Sequence, residues 1–401
     1  MKKTQHIVAL LLLLMITPCS AWAQKKELNQ ARSYIKSGKD ADFEKAAQLM
    51  TELLKNVKNK GNKKIYQTWF EAVRGQYVAA NERIYLKHKQ DTAKFFDLNR
   101  EMFVICEALD SIDMRPDTKG RVSLEYREKH AELLNTYRPN LFNAGTYHLH
   151  KGDYAKAFSY FEFYMDCAHQ PLFTAQEYAT TDRKMPEVAY WATYCGYKMN
   201  DAVLTLRHRQ LALTDSSKLA YTYQYIAEAR RWLNDQELYL QTLEKGFQYA
   251  PTSPYFFPRL MDAYSQKGLY EKALALTDSA IASCDTCELY LFVKSTMLFR
   301  LQRYTECIKV SDQVIAINPN QAEAHFNAGT AYLNLALQLD ERKEKKQLRQ
   351  LYQKARPYME RYRQLAPNEK LKWGPALYRI YLNLNMGKQF DEIDHLLKKS
   401  S

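Results

Sequence analysis

Residues 220–253 read AYTYQYIAEARRWLNDQELYLQTLEKGFQYAPTS, residues 254–287 read PYFFPRLMDAYSQKGLYEKALALTDSAIASCDTC, and residues 288–321 read ELYLFVKSTMLFRLQRYTECIKVSDQVIAINPNQ. The three segments follow one another without a gap, and each is 34 residues long. A large apolar side chain recurs at the fourth position of each segment, as Tyr223, Phe257 and Leu291. A fixed period of this size indicates a stack of similar supersecondary units.

The same pattern continues on both sides of these segments. A further unit begins at Ala322 and carries Ala328, Gly329 and Tyr332 at its seventh, eighth and eleventh positions. Upstream, residues 138–171 carry the matching landmarks Leu141, Ala144, Gly145, Gly152, Tyr154, Ala157 and Phe161. The spacing and these landmarks resemble the tetratricopeptide repeat (TPR), a pair of helices joined by a tight turn. The resemblance implies an all-α fold, a right-handed superhelical solenoid of antiparallel helix pairs.

The helix-terminating residues and the small residues of the repeat fit the packing of two antiparallel helices. Gly152 and Gly268 stand where the first helix of a pair must end, a position that favours glycine. Pro251 and Pro319 stop the second helix, because proline lacks the amide hydrogen that a helix needs. Small residues are expected where two helix axes approach most closely, namely Ala157, Ala273, Gly329 and Ala355.

We therefore expect four regions along the chain. They are a signal peptide at 1–23, degenerate helical repeats at 24–137, a TPR-like region at 138–369, and capping helices at 370–401. The repeat units are expected near 138–171, 185–218, 220–253, 254–287, 288–321 and 322–369. Atypical flanking units are usual in solenoids, because the outermost repeats must present a polar face to solvent.

The last repeat unit contains 14 extra residues between its two halves. About four helical turns would accommodate an insertion of that length, so both helices can lengthen without changing the faces that meet. The added segment Asp340–Lys346 is almost wholly charged and should project into solvent. Two interpretations are open: a solvated helical hairpin, or a docking prong for an acidic partner.

The N-terminus has the order of a secretory signal peptide. Lys2 and Lys3 precede a short apolar run, and Ala21-Trp22-Ala23 supplies a small-residue cleavage site before Gln24. A lipid-anchored Cys19 is an alternative, but the residues before it lack the small side chains that lipoprotein processing favours. We therefore expect a periplasmic or secreted protein with no transmembrane anchor in its mature chain.

The chain carries 58 Lys and Arg against 45 Asp and Glu, which gives a formal net charge of +13. A cationic excess attracts anionic partners over about a Debye length. For an exported protein these would be envelope polymers, lipids or acidic proteins, and nucleic acid is not expected. Lysines that only solvate exposed helix faces would give the same composition.

Six cysteines follow residue 23, and only Cys284 and Cys287 form a close pair. They lie at a junction of two units, where a turn can bring them within disulfide distance, although free thiols remain an alternative. A metal site would need a second pair of ligands, and a thioredoxin-like site would need a strand–helix–strand context. Cys307 occupies a small-residue position and is expected to be a buried packing residue.

The sequence contains no signature of catalysis or cofactor binding. It has no HExxH motif, phosphate-binding loop or dinucleotide fingerprint. His148 and His150 are two residues apart, so on a helix their rings point in different directions. Helical solenoids usually carry recognition surfaces. We therefore expect no enzyme activity, no cofactor and no metal.

The resemblance also implies a concave groove lined by the first helix of each pair. A groove of aromatic, charged and amide groups suits an extended peptide or a helix of a protein partner. The candidate groove residues are Tyr225, Glu228, Arg231, Arg259, Asp262, Phe292, Arg300, Asn327 and Asn334. The family's clamp for acidic C-terminal tails is not expected, because its lysine and asparagine positions hold Gln224, Pro258 and Phe292.

These observations favour an exported TPR scaffold that mediates protein–protein interaction in the cell envelope. The alternative is an architectural component of an envelope assembly that acts through its edges and its charged prong. An enzyme without a recognisable signature is the third hypothesis. The identity of the partner does not follow from the sequence.

Overall fold

The computed structural model describes residues 24–398, and all regular secondary structure in that range is helical. The chain forms two compact units, the first ending at Tyr239 and the second beginning at Leu240. The predicted signal peptide and its alternative, a lipid-anchored Cys19, lie outside the described residues. Within residues 24–398, every helix is too short or too polar to span a bilayer.

The first unit consists of helices α1 to α12 and the beginning of α13. Their bounds are α1 24–37, α2 Asp40–Lys55, α3 Lys63–Tyr85, α4 Thr92–Asp113, α5 Arg127–Tyr137, α6 Pro139–His150, α7 Tyr154–Asp166, α8 Tyr178–Thr181, α9 Met185–Lys198, α10 Ala202–Arg207, α11 Arg209–Ala212, α12 Leu219–Trp232 and α13 Gln236–Tyr249. Helix α2 packs on α3, α3 on α4, α6 on α7, and α9 on α10.

The second unit consists of the rest of α13 and eight further helices. Their bounds are α14 Phe256–Gln266, α15 Tyr270–Ser283, α16 Glu288–Arg300, α17 Tyr304–Ile317, α18 Ala322–Leu337, α19 Lys345–Leu365, α20 Lys370–Leu384 and α21 Gly387–Lys398. From α14 onward each helix packs against the next one along the chain. Because the connections are short, consecutive packed helices run antiparallel. The predicted all-α fold of antiparallel helix pairs is confirmed.

The 34-residue period is visible in the backbone. Asn234, Gly268 and Gln302 all have positive φ angles, of 56°, 67° and 60°, and they are 34 residues apart. After each one, the next amide donates to a carbonyl five residues earlier, as from Arg303 to Leu298 at 2.9 Å. This hydrogen bond caps the first helix of a pair and reverses the chain. Gly152, at φ 74°, ends α6 in the same way, so both predicted glycine caps are confirmed.

Small residues lie where paired helices are closest, as the sequence predicted. Ala157, Ala273 and Ala355 are completely buried. A Cβ atom added to Gly329 would lie 2.5 Å from the Met359 sulfur and 3.3 Å from Tyr358 Cβ, so α18 and α19 meet closely at this glycine. Cys307 is also fully buried, which confirms its predicted packing role.

The 14-residue insertion is divided among three parts of the α18–α19 pair. Helix α18 is three residues longer than α16, and α19 is seven residues longer than α17. The connection between α18 and α19 is four residues longer than that between α16 and α17. Both helices are thus longer, as expected. In the connection, Asp340 Oδ1 accepts hydrogen bonds from the amides of Arg342 at 2.8 Å and Lys343 at 3.2 Å. These bonds close a tight, charged turn.

Two parts of the first unit depart from the regular repeat. In the predicted unit 185–218, the second helix is broken at His208 into α10 and α11. After α7, the irregular segment 167–184 is held by Arg138, whose guanidinium lies between the rings of Tyr164 and Tyr178 at 3.7 and 3.8 Å. The same guanidinium donates to Asp182 Oδ2 at 2.6 Å. This buried ion pair fixes residues 172–184, which lie between two predicted repeat units.

The turn at Gln302 generates a stability prediction. A left-handed backbone costs a residue other than glycine about 1 kcal/mol, so we expect Gln302→Gly to raise the free energy of unfolding of the second unit by about that amount. The matched control is Gln338→Gly, at a helix end where φ is −84°. There glycine only loosens the unfolded chain, and no gain is expected. Urea unfolding measures the free energy of unfolding of both variants. An equal value for Gln302→Gly and Gln338→Gly would contradict the cap assigned at Gln302.

Candidate functional site

The first helices of successive pairs lie side by side in the second unit. Helix α16 contacts α18, and α18 contacts α20. The faces of these three helices that point away from their second-helix partners therefore form one continuous surface. It is the surface on which the sequence placed Phe292, Asn327 and Asn334.

A polar contact fixes the spacing of α16 and α18. The side-chain amide of Asn327 donates to Ser295 Oγ and to Thr296 Oγ1, each at 3.1 Å. Both hydroxyls in turn donate to the carbonyl oxygen of Phe292. Asn327 is only 7% exposed, so its amide serves helix packing and is not open to a partner. Its predicted role in the groove is corrected accordingly.

A cleft of about 520 Å³ lies between α18 and α20, with one wall completed by α21. Helix α18 contributes four residues at i, i+3, i+4 and i+7, which is one helical face. The lining residues are Thr330, Leu333, Asn334 and Leu337 from α18, Pro375, Ala376, Tyr378 and Arg379 from α20, and Leu397 from α21. The walls are mainly apolar, and Leu337 is 56% exposed at the cleft.

Two polar side chains of the cleft carry its recognition chemistry. Asn334 donates through its amide nitrogen to the Thr330 carbonyl at 2.9 Å, and its side-chain oxygen has no hydrogen bond within residues 24–398. Arg379 is exposed and forms no ion pair with any described residue. Burial raises the pKa of the nearby Tyr352, and the positive charge of Arg379 acts in the opposite direction. The cleft therefore offers an acceptor and an uncompensated cation beside apolar walls.

The three candidate residues on α12, in the first unit, have a different environment. Tyr225 is 7% exposed and packs in an aromatic cluster, with ring centroids 4.6 Å from Tyr197 and 5.5 Å from Tyr194. Burial raises the pKa of its hydroxyl. Arg231 donates twice to one carboxylate oxygen of Glu228, at 2.9 and 2.7 Å. Tyr225 is thus a packing residue, and the expectation that it faces an open groove is corrected.

The remaining candidates lie on α14 and α16 and do not line the cleft. The Arg259 guanidinium lies 3.9 Å from the centre of the Tyr255 ring and donates to the carbonyl oxygen of Tyr255. Asp262 and Arg300 are exposed, and Phe292 is half-buried. Of the nine candidates, only Asn334 lies in the cleft.

The cysteines are free thiols throughout residues 24–398. Cys284 is exposed and Cys287 is half-buried, while Cys106, Cys167, Cys195 and Cys307 are buried. Burial raises the pKa of the Cys195 thiol to about 12 and that of Cys307 to about 11. In the same range of residues, no three His, Cys, Asp or Glu side chains are grouped to hold a metal ion.

No protein-family model and no curated protein match this sequence. Among solved structures, the chain is similar to the C-terminal part of a TPR repeat-containing protein from Cytophaga hutchinsonii, at 14% identity over 63% of this chain and 92% of that one, with a TM-score of 0.41. It is also similar to YrrB, described as a TPR protein with an unusual peptide-binding site. The identity is 16% over 49% of this chain and 94% of YrrB, with a TM-score of 0.37.

A third similar structure is the TPR domain of P58(IPK), at 13% identity over 94% of this chain and 99% of that domain, with a TM-score of 0.26. The resemblance of this chain to TPR proteins is carried by its own helix pairs, by the cap residues spaced 34 apart, and by the small residues between the helices.

The burial of Tyr225 yields a test that separates packing residues from surface residues. Removing a buried aromatic side chain leaves a cavity, so Tyr225→Ala should lower the free energy of unfolding by about 3 kcal/mol or more. Arg300→Ala removes an exposed side chain and should change it by less than about 0.5 kcal/mol. Denaturant unfolding followed by tryptophan fluorescence measures both. Wild-type stability of the Tyr225 variant would show that the side chain is not packed.

Proposed function

We propose that the chain is a non-enzymatic scaffold that binds a peptide segment of a partner protein in the cleft between α18 and α20. The observation that carries this proposal is the combination of apolar walls with Asn334 and the unpaired Arg379. Binding pockets typically combine mostly apolar lining with a few polar groups that fix orientation. The volume of the cleft is also in the range of such pockets, about 300–1,000 Å³.

The chemistry of the lining residues indicates the kind of segment that binds. Leu333, Leu337 and Tyr378 would enclose one aliphatic or aromatic side chain. The Asn334 side chain has both donor and acceptor capacity, so it matches a peptide backbone. Arg379 supplies a planar cation that pairs with a carboxylate. The ligand is therefore a segment in which an apolar residue stands next to an acidic residue or a chain terminus.

The proposed place of action is the cell envelope. The basic start, the short apolar run and the small-residue site before Gln24 support export, although they lie outside the described residues. An exported scaffold would hold its partner outside the cytoplasm. An architectural role without a peptide-binding groove is the alternative, and it predicts that no peptide selects the cleft.

Peptide selection tests the proposal directly. A random peptide library displayed on phage is selected on the wild-type protein, and enriched peptides are synthesised and their dissociation constants measured. We expect enriched sequences to pair an apolar residue with an acidic one. Leu337→Glu replaces an apolar wall residue with a carboxylate that also repels the acidic residue of the peptide and competes for Arg379, so it should weaken binding by about tenfold or more.

Leu382→Glu is the matched control for that variant. Leu382 lies on α20 outside the cleft and is 53% exposed, close to the exposure of Leu337. The control should bind the selected peptides with wild-type affinity. Peptides that bind Leu337→Glu as tightly as the wild type would place the binding surface elsewhere.

A further inference from the structure

The cationic excess of the chain is concentrated on one helix. Helix α19 contains seven Lys and Arg and a single acid, Glu360, so its formal charge is +6. The second helices of the three preceding pairs, α13, α15 and α17, each carry a net charge of −1. Lysines that merely solvate helix faces would not single out one helix in this way. The chain's net charge of +13 is therefore unevenly distributed.

Most of the exposed cations of α19 lie along one flank of the helix, beside its packed side. Tyr352, Ala355, Met359 and Tyr362 are buried and hold the helix in the second unit. Five of its cations are exposed: Lys345, Lys346, Arg349, Lys354 and Arg356. At 3.6 residues per turn, all of these except Lys354 fall within about 100° of arc on one flank of the helix, next to the packed side. Lys345, Arg349 and Arg356 follow one line along the helix, over about 16 Å.

Three cations at the start of α19 have no ion-pair partner among the described residues. Within residues 24–398, Lys345, Lys346 and Arg349 form no ion pair and no side-chain hydrogen bond. The connection before them, residues 338–344, contains two cations and three acids, so it adds no positive charge of its own. Because Lys345, Lys346 and Arg349 have no partner to lose, their binding to an anion breaks few existing interactions. Their full charge is available to an anionic partner.

We infer that the exposed cationic flank of α19 forms an electrostatic docking surface for an anionic phospholipid bilayer. Lys345, Lys346 and Arg349 are exposed and no described side chain fixes their heads, so they present charge and not a shaped site for a defined acidic peptide. A membrane needs no such geometry, because its headgroups present many interchangeable anions. The apolar side of α19 is occupied by the core, so attachment is by charge alone, reversible and sensitive to salt.

Vesicle co-sedimentation tests this docking surface. The protein starts at Gln24, so that the apolar N-terminal residues cannot insert, and still contains every described residue. The probes are phosphatidylcholine vesicles with and without 30 mol% phosphatidylglycerol, at about 0.1 M and 0.5 M salt. We expect binding only to the anionic vesicles and only at the lower salt concentration.

A charge-matched pair of variants locates the surface. Lys345→Gln/Lys346→Gln/Arg349→Gln removes three cations from α19 while keeping good helix formers, and should weaken vesicle binding by about tenfold or more. The control Lys58→Gln/Lys60→Gln/Lys89→Gln removes three exposed cations elsewhere and gives the same net charge. It should retain wild-type binding. Circular dichroism verifies that both variants keep the helical content of the wild type.

Three results would overturn the inference. The first is equal binding of wild type to neutral and anionic vesicles, and the second is equal loss of binding in both triple variants. The third is binding of a polyglutamate peptide by wild type without any binding of anionic vesicles. That last result would assign the face to an acidic protein partner.

Discussion

The tight turn that ends the first helix of each pair is the constraint on which the rest of the structure depends. Asn234, Gly268 and Gln302 adopt a left-handed conformation, and the next amide returns to a carbonyl five residues earlier. With so few residues in the connection, the second helix must run back along the first. Close contact is then possible only if one side is small, which accounts for the buried Ala273 and Gly329.

Most of the regular fold could be predicted from the sequence, because the 34-residue period, the helix caps and the small residues between helices all indicate the same repeat register. The Arg138 cluster could not, because Tyr164, Tyr178 and Asp182 meet it through tertiary packing around an irregular segment. The burial of Tyr225 was missed for a related reason. Its neighbours Tyr194 and Tyr197 come from a unit whose register is weak, so the aromatic cluster has no periodic signal.

The candidate site was predicted only in part. Asn334 was found because it lies on a first helix in register, whereas Arg379 and Tyr378 lie on α20, which follows the last complete repeat. The spacing of Leu377 and Ile380 identifies the buried side of α20, but not what its other side faces. The second unit thus carries two surfaces of different chemistry: an apolar cleft between first helices, and a cationic face on the second helix α19.

Thiol reactivity of the native chain tests the central claim, that a repeating register buries small residues between paired helices. Under reducing conditions, a maleimide should modify Cys284 and Cys287 rapidly. Cys195 and Cys307 are fully buried, and burial raises the pKa of each thiol, so both should react only after unfolding. Mass spectrometry of peptides from briefly labelled protein locates the modified sites. Modification of Cys195 or Cys307 in the folded protein as fast as that of Cys284 would contradict the assigned register.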